Sequence, residues 1–141
     1  MSDMPPALDL PICMVEAAHY YQLPLRGFLA LWLTEGGRPG MQNRNKNGTI
    51  DYGSFQINTV WQRKLEADFG ITADMLTHDF CTSAYASAYI IKFNIIEAGG
   101  DFWQGIGRYH SKTPALKEAY IGRVYKNSLR IPGGLYAANT P

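Results

Sequence analysis

Residues 34–58 read TEGGRPGMQNRNKNGTIDYGSFQIN, and this stretch decides how the rest of the chain is organised. It begins at the end of an apolar segment. From Leu25 to Glu35 the chain carries Phe28, Leu29, Leu31, Trp32 and Leu33, apolar on nearly every side, which predicts a central helix. Gly36-Gly37 ends that helix, because a helix C-terminus often needs a left-handed residue. Pro39 prevents it from resuming. Residues 38–50 are polar and turn-rich, and Asn47-Gly48 has the chemistry of a hairpin turn. With the strand-like residues of Thr49–Ile57, they predict a short β-hairpin.

On the N-terminal side, Asp9 followed by Pro11 predicts a helix start, with the helix running to about Tyr21 and a break at Pro24. On the C-terminal side, Thr59 is placed to cap a helix over Val60–Phe69, closed by Gly70. Thr72 opens a short helix to about Leu76. Asp79 starts the longest helix, to about Ala98, where Cys81, Ala84, Tyr85, Ala88 and Tyr89 recur at helical spacing. Gly99-Gly100 stops it. Phe102–Tyr109 predicts a further helix, and Pro114 opens the last, to about Leu129. The pattern is that of a mostly α (α+β) chain with one small β element. Residues 1–131 form one domain, and 132–141 read as a flexible C-terminal tail.

A chain of 141 residues suits a single domain. At 46% hydrophobic and 18% charged it is globular in composition. Thirteen basic and twelve acidic residues leave no basic excess of the kind nucleic-acid binding requires. The longest apolar run, Phe28–Leu33, is too short to span a membrane. Residues 1–12 carry acids and prolines without a basic start or an apolar run, so no signal peptide is visible. Cys13 and Cys81 are the two cysteines, and count alone leaves a free pair and a disulfide equally open. His19, His78 and His110 show no metal-ligand spacing, so neither metal nor cofactor is expected.

Two carboxylates stand out. Glu35 ends the apolar helix, where burial would raise its pKa and keep a proton available near neutral pH. That is what a general acid for glycosidic cleavage needs. The macrodipole disfavours a carboxylate at a helix C-terminus, a cost that asks for a reason. An isolated glutamate at such a place is nevertheless most often an ordinary solvated one. Asp51 lies on the predicted strand, an unfavourable place for Asp. It is either a second carboxylate facing the cleaved sugar or a turn residue bonding its own backbone.

Taken together, Glu35-Gly36-Gly37, Gly53-Ser54-Phe55-Gln56-Ile57-Asn58, Trp61, Cys81 and Tyr109-His110-Ser111 resemble the small lytic transglycosylases of secretion, conjugation and pilus systems, in the lysozyme-like superfamily. The resemblance covers roughly residues 10–130. Two features depart from the pattern: Gly36 replaces the usual serine after the glutamate, and Asp51-Tyr52-Gly53 looks more like animal-type lysozyme.

The resemblance implies a lysozyme-like fold with its hairpin beside an active-site cleft. It implies Glu35 and Asp51 as catalytic residues, and Gln56, Tyr109, Ser54 and Tyr52 as substrate-binding residues. Gln56 would bond sugar or fix Glu35, while Asn58 would tie the hairpin to the next helix. It implies a disulfide between Cys13 and Cys81, pinning the first helix to the long one. The implied partners are peptidoglycan glycan strands and components of a transenvelope machine, in the periplasm or otherwise outside the cytoplasm. The implied reaction cleaves the MurNAc–GlcNAc bond with formation of 1,6-anhydromuramic acid. A muramidase using Asp51 as full partner stays open, as do a chitin-directed enzyme and a non-catalytic wall-binding adaptor.

Overall fold

The computed structural model describes residues 10–132. Among these, the elements run α1 (Ile12–Tyr20), α2 (Leu25–Glu35), β1 (Gln42–Arg44), β2 (Ile50–Tyr52), β3 (Ile57–Asn58), α3 (Thr59–Phe69), α4 (Ala73–His78), α5 (Phe80–Glu97), α6 (Phe102–His110) and α7 (Pro114–Ser128). The fold is mostly α and lysozyme-like, with a small antiparallel sheet of order β1-β2-β3. The Asp9 cap and, apart from Pro132, the expected tail lie outside the described residues. Pro11 occupies the N-cap of α1 and makes no side-chain bond there.

The helices stop where local chemistry stops them. Gly36 takes φ +66° at the end of α2, and Gly70 takes φ +72° at the end of α3. Thr72, Asp79 and Asp101 each accept a backbone N–H as N-caps of α4, α5 and α6. One cap differs from expectation. Asn58, not Thr59, caps α3, its side chain accepting from the Val60 N–H. The Thr59 hydroxyl is already engaged across the sheet, accepting from the Ile50 N–H at 2.8 Å.

The core forms around α2 and α5. Leu25, Phe28, Leu29, Ala30 and Leu31 are buried on α2, while Leu33 is exposed. On α5 the buried stripe runs through Ser83, Ala84, Ser87, Ala88, Ile90, Ile91, Asn94 and Ile95. The expected apolar face through Tyr85 and Tyr89 is the half-buried flank of that stripe. Their hydroxyls favour the edge of the core, and small serines and alanines take its centre. Cys13 and Cys81 form a disulfide that ties α1 to the start of α5, with Cα atoms 5.5 Å apart.

The sheet goes beyond the expected hairpin. β1 and β2 pair from Gln42↔Tyr52 to Arg44↔Ile50, and β2 also pairs with β3 through Asp51↔Asn58 and Tyr52↔Ile57. The chain reverses between β2 and β3 at Gly53 (φ +71°) and Gln56 (φ +51°). Phe55, fully buried, anchors that reversal to the helical body. Its ring stacks on Phe28 at 5.6 Å and meets Phe80 at 5.5 Å. Each such aromatic pair is worth about 0.5–1.5 kcal/mol beyond area burial.

Candidate active site

An open cleft separates the sheet from the helical body. Glu35 and Asp51 both line it, with Gln56, Trp61, Tyr109 and His110. The end of α2 delivers Glu35, and the centre of β2 delivers Asp51. Two backbone contacts fix how closely these elements approach. A Cβ at Gly37 would lie 2.2 Å from the Gly53 carbonyl oxygen, and a Cβ at Gly53 would lie 2.0 Å from the Leu76 carbonyl oxygen. Only glycine lets three stretches of main chain lie against each other here. The position after the acid is glycine for another reason: its left-handed φ would strain a serine.

Glu35 is half-buried, and its pKa is raised to about 7. Loss of water around the carboxylate is the main cause. A hydrogen bond donated by Tyr120 pulls the other way, the negative charge of Asp51 pushes further up, and Arg123 pulls down. The Tyr120 hydroxyl lies 2.5 Å from Glu35 Oε2. Burial and the neighbouring carboxylate push the Tyr120 phenol far above its ordinary range, so it remains a donor at any working pH.

Asp51 Oδ1 accepts from Asn58 Nδ2 at 2.9 Å. Asn58 also bonds Thr49 Oγ1 at 3.0 Å while capping α3, so one side chain joins the sheet, the second carboxylate and the next helix. Gln56 faces the cleft without a bond to Glu35. Its Nε2 donates to the Gly53 carbonyl at 2.8 Å, and its Oε1 accepts from Asn43 Nδ2 at 2.7 Å. A non-glycine residue at φ +51° costs about 1–3 kcal/mol, and the two amide bonds help hold it there.

Tyr109 lines the cleft, but its hydroxyl donates to the Phe55 carbonyl at 2.8 Å. It clamps α6 to the reversal that carries Gln56. Tyr52 and Ser54 are buried, at 7% and 1% exposure, and neither lines the cleft. Both were expected to bind substrate; Tyr52 packs in the hydrophobic core, and the Ser54 side chain is buried as well. His110 lies in the cleft wall with its ring stacked on Tyr120, centroids 4.9 Å apart. Burial and the Arg123 charge lower its pKa, favouring the neutral ring, while the Asp51 charge pulls the other way.

Tyr120 escaped the sequence. It sits on α7, 85 residues from Glu35, inside no local motif. The usable signal was its place in the stripe Tyr120, Val124, Ser128, since a buried tyrosine requires a partner for its hydroxyl. Among the described residues no His/Cys/Asp/Glu cluster suited to a metal ion occurs.

Fold and cleft define a lysozyme-like protein with a half-buried glutamate at the end of a core helix. Over 132 residues the chain is 30% identical to protein IpgF of Shigella flexneri, a match covering 89% of this chain and 85% of that one. It therefore belongs to the IpgF family. Invasion protein IagB of Salmonella typhimurium (strain LT2) is 24% identical over 126 residues, covering 86% of this chain and 78% of its own. No protein-family model matches the chain.

Proposed function

We propose that this chain is a peptidoglycan lytic transglycosylase that opens the cell wall locally for a transenvelope secretion or conjugation apparatus. The observation that carries this reading is a half-buried Glu35 with its pKa raised to about 7, in an open cleft that Asp51 also lines. A glycan strand lies between the sheet and the helices. Protonated Glu35 gives its proton to the oxygen joining N-acetylmuramic acid to N-acetylglucosamine, and the C1–O bond breaks. Asp51 faces the positive charge that grows at C1. Glu35, now a carboxylate, takes the proton of the muramic 6-hydroxyl, and O6 closes onto C1. The product is 1,6-anhydromuramic acid, no water is consumed, and Glu35 regains its proton.

The invasion name carried by IagB supports the link to a secretion machine. The disulfide supports an oxidising compartment such as the periplasm. Among the described residues no helix is long and apolar enough to cross a membrane. A muramidase is the second reading, and Asp51 favours it, because a carboxylate on the far side of the sugar suits attack by water.

Mass spectrometry of the soluble products of purified peptidoglycan tests both. Anhydro-ended products, each lighter by one water, are expected. Reducing-end muramic acid would move the assignment to a muramidase. Binding to sacculi without any soluble product would overturn both in favour of a wall-binding adaptor.

A further inference from the structure

Among the described residues the cleft wall contains two carboxylates, one histidine and no lysine or arginine. Peptidoglycan is nonetheless an anionic polymer, because the stem peptide on each muramic lactyl group carries free carboxylates. A cation that meets those carboxylates would come from beside the cleft. Arg108 on α6 and Lys112 between α6 and α7 both lie 3.9 Å from Glu97, and of the basic residues on α7, Lys117, Arg123 and Lys126, only Arg123 is set against the Tyr120 ring. Arg123 differs. It is exposed, and among the described residues it forms no ion pair. Its guanidinium lies 5.4 Å from the centre of the Tyr120 ring. That same ring stacks on cleft-lining His110 and hydrogen-bonds Glu35.

Resting on the transglycosylase reading, we infer that Arg123 binds a stem-peptide carboxylate beside the scissile bond, making the enzyme selective for peptide-bearing over denuded glycan strands. The Tyr120 face orients the planar guanidinium, which leaves its donor edges for a carboxylate. Its charge is felt at both Glu35 and His110, which places it within electrostatic reach of the reacting bond. Arg44 at the end of β1 and Lys46 in the turn after it, flanking cleft-lining Asn45, form a second cationic rim. That rim has no bridge to Glu35 comparable to the Tyr120 ring.

The experiment compares kcat/KM on strands that keep their stem peptides with kcat/KM on the same strands stripped by an amidase. The wild type is expected to favour the peptide-bearing strands about fivefold, the scale of an exposed charge pair. Arg123→Gln should bring that ratio to about one, and Arg123→Lys should retain most of it. A purely structural role would lower both rates together and leave the ratio alone. A wild-type ratio near one, a ratio unchanged in Arg123→Gln, or a preference lost only in the Arg44→Gln/Lys46→Gln double variant would overturn the assignment. Wild-type protein that releases no product from either substrate would overturn the parent reading, and this inference with it.

Discussion

The Tyr120 hydroxyl donates to Glu35 Oε2 across 85 residues of sequence, from α7 to the last turn of α2. These two helices pack extensively on each other, so the acid and its donor are held by the core and not by a loop. Tyr120→Phe removes a bond to the charged form of Glu35, so the Glu35 pKa must rise further. The alkaline limb of the pH–rate profile should move to higher pH. At the optimum, kcat/KM should fall about ten- to a hundredfold, the scale of a lost hydrogen bond to a charged group. A limb that stays in place would disconnect Tyr120 from the acid.

In the wild type that limb should lie near pH 7, because the proposed cleavage requires protonated Glu35. Above it, kcat/KM should drop about tenfold per pH unit. A break near pH 4.5, the ordinary glutamate value, would mean that burial does not tune this carboxylate.

Glu35→Gln should abolish cleavage and still fold. Its stability effect has a definite sign. The folded pKa lies above the unfolded one, so the folded state binds the proton more tightly. Stability from this group is complete below about pH 4.5 and is lost as pH rises through about 7. The Gln variant escapes that loss. It should be more stable than wild type at pH 8, by up to roughly 3 kcal/mol, and equal to it at pH 4. Denaturant melts at the two pH values check this, and a Gln variant less stable at pH 8 would reverse the assigned cause.

The helices were legible because their ends are written locally. Pro24 and Gly36 bracket α2 to the residue, and Thr72 and Asp79 begin α4 and α5 with their own side chains. The third strand was not legible. It depends on Gln56 adopting a positive φ, which local propensity argues against. Asn58 outranked Thr59 as a cap because tertiary contacts had already taken the threonine hydroxyl. In the cleft, both carboxylates could be named from their neighbours in sequence. Tyr120 and Arg123 could not, since helix packing alone brings α7 to the end of α2.

Loss of the Cys13–Cys81 crosslink should cost about 4 kcal/mol by the chain-entropy model, given the sequence separation of 68. A Cys13→Ser/Cys81→Ser protein should therefore unfold at markedly lower denaturant, with its cleft chemistry intact once folded. Equal midpoints for the oxidised and reduced wild type would contradict this.

Gly37→Ala and Gly53→Ala should each be severely destabilising, at or above about 3 kcal/mol, because the new methyl meets main chain that cannot rotate away. Gly122→Ala is the counter-case. It lies on α7 with nothing within 4 Å of its added carbon, and it should gain about 0.5–1 kcal/mol. Urea melts of the three variants would show whether the penalty follows these contacts or glycine replacement in general.

The contact of Gly37, Gly53 and Leu76 also bears on how such a protein can drift. A cleft propped open by side chains changes width with every core substitution. Here the gauge between acid and sheet is main chain against main chain, and main chain does not mutate. A core substitution can lower stability, but it does not reset the spacing that these main-chain contacts set. The width of the cleft can thus outlast much of the sequence around it, as long as two positions stay without a side chain.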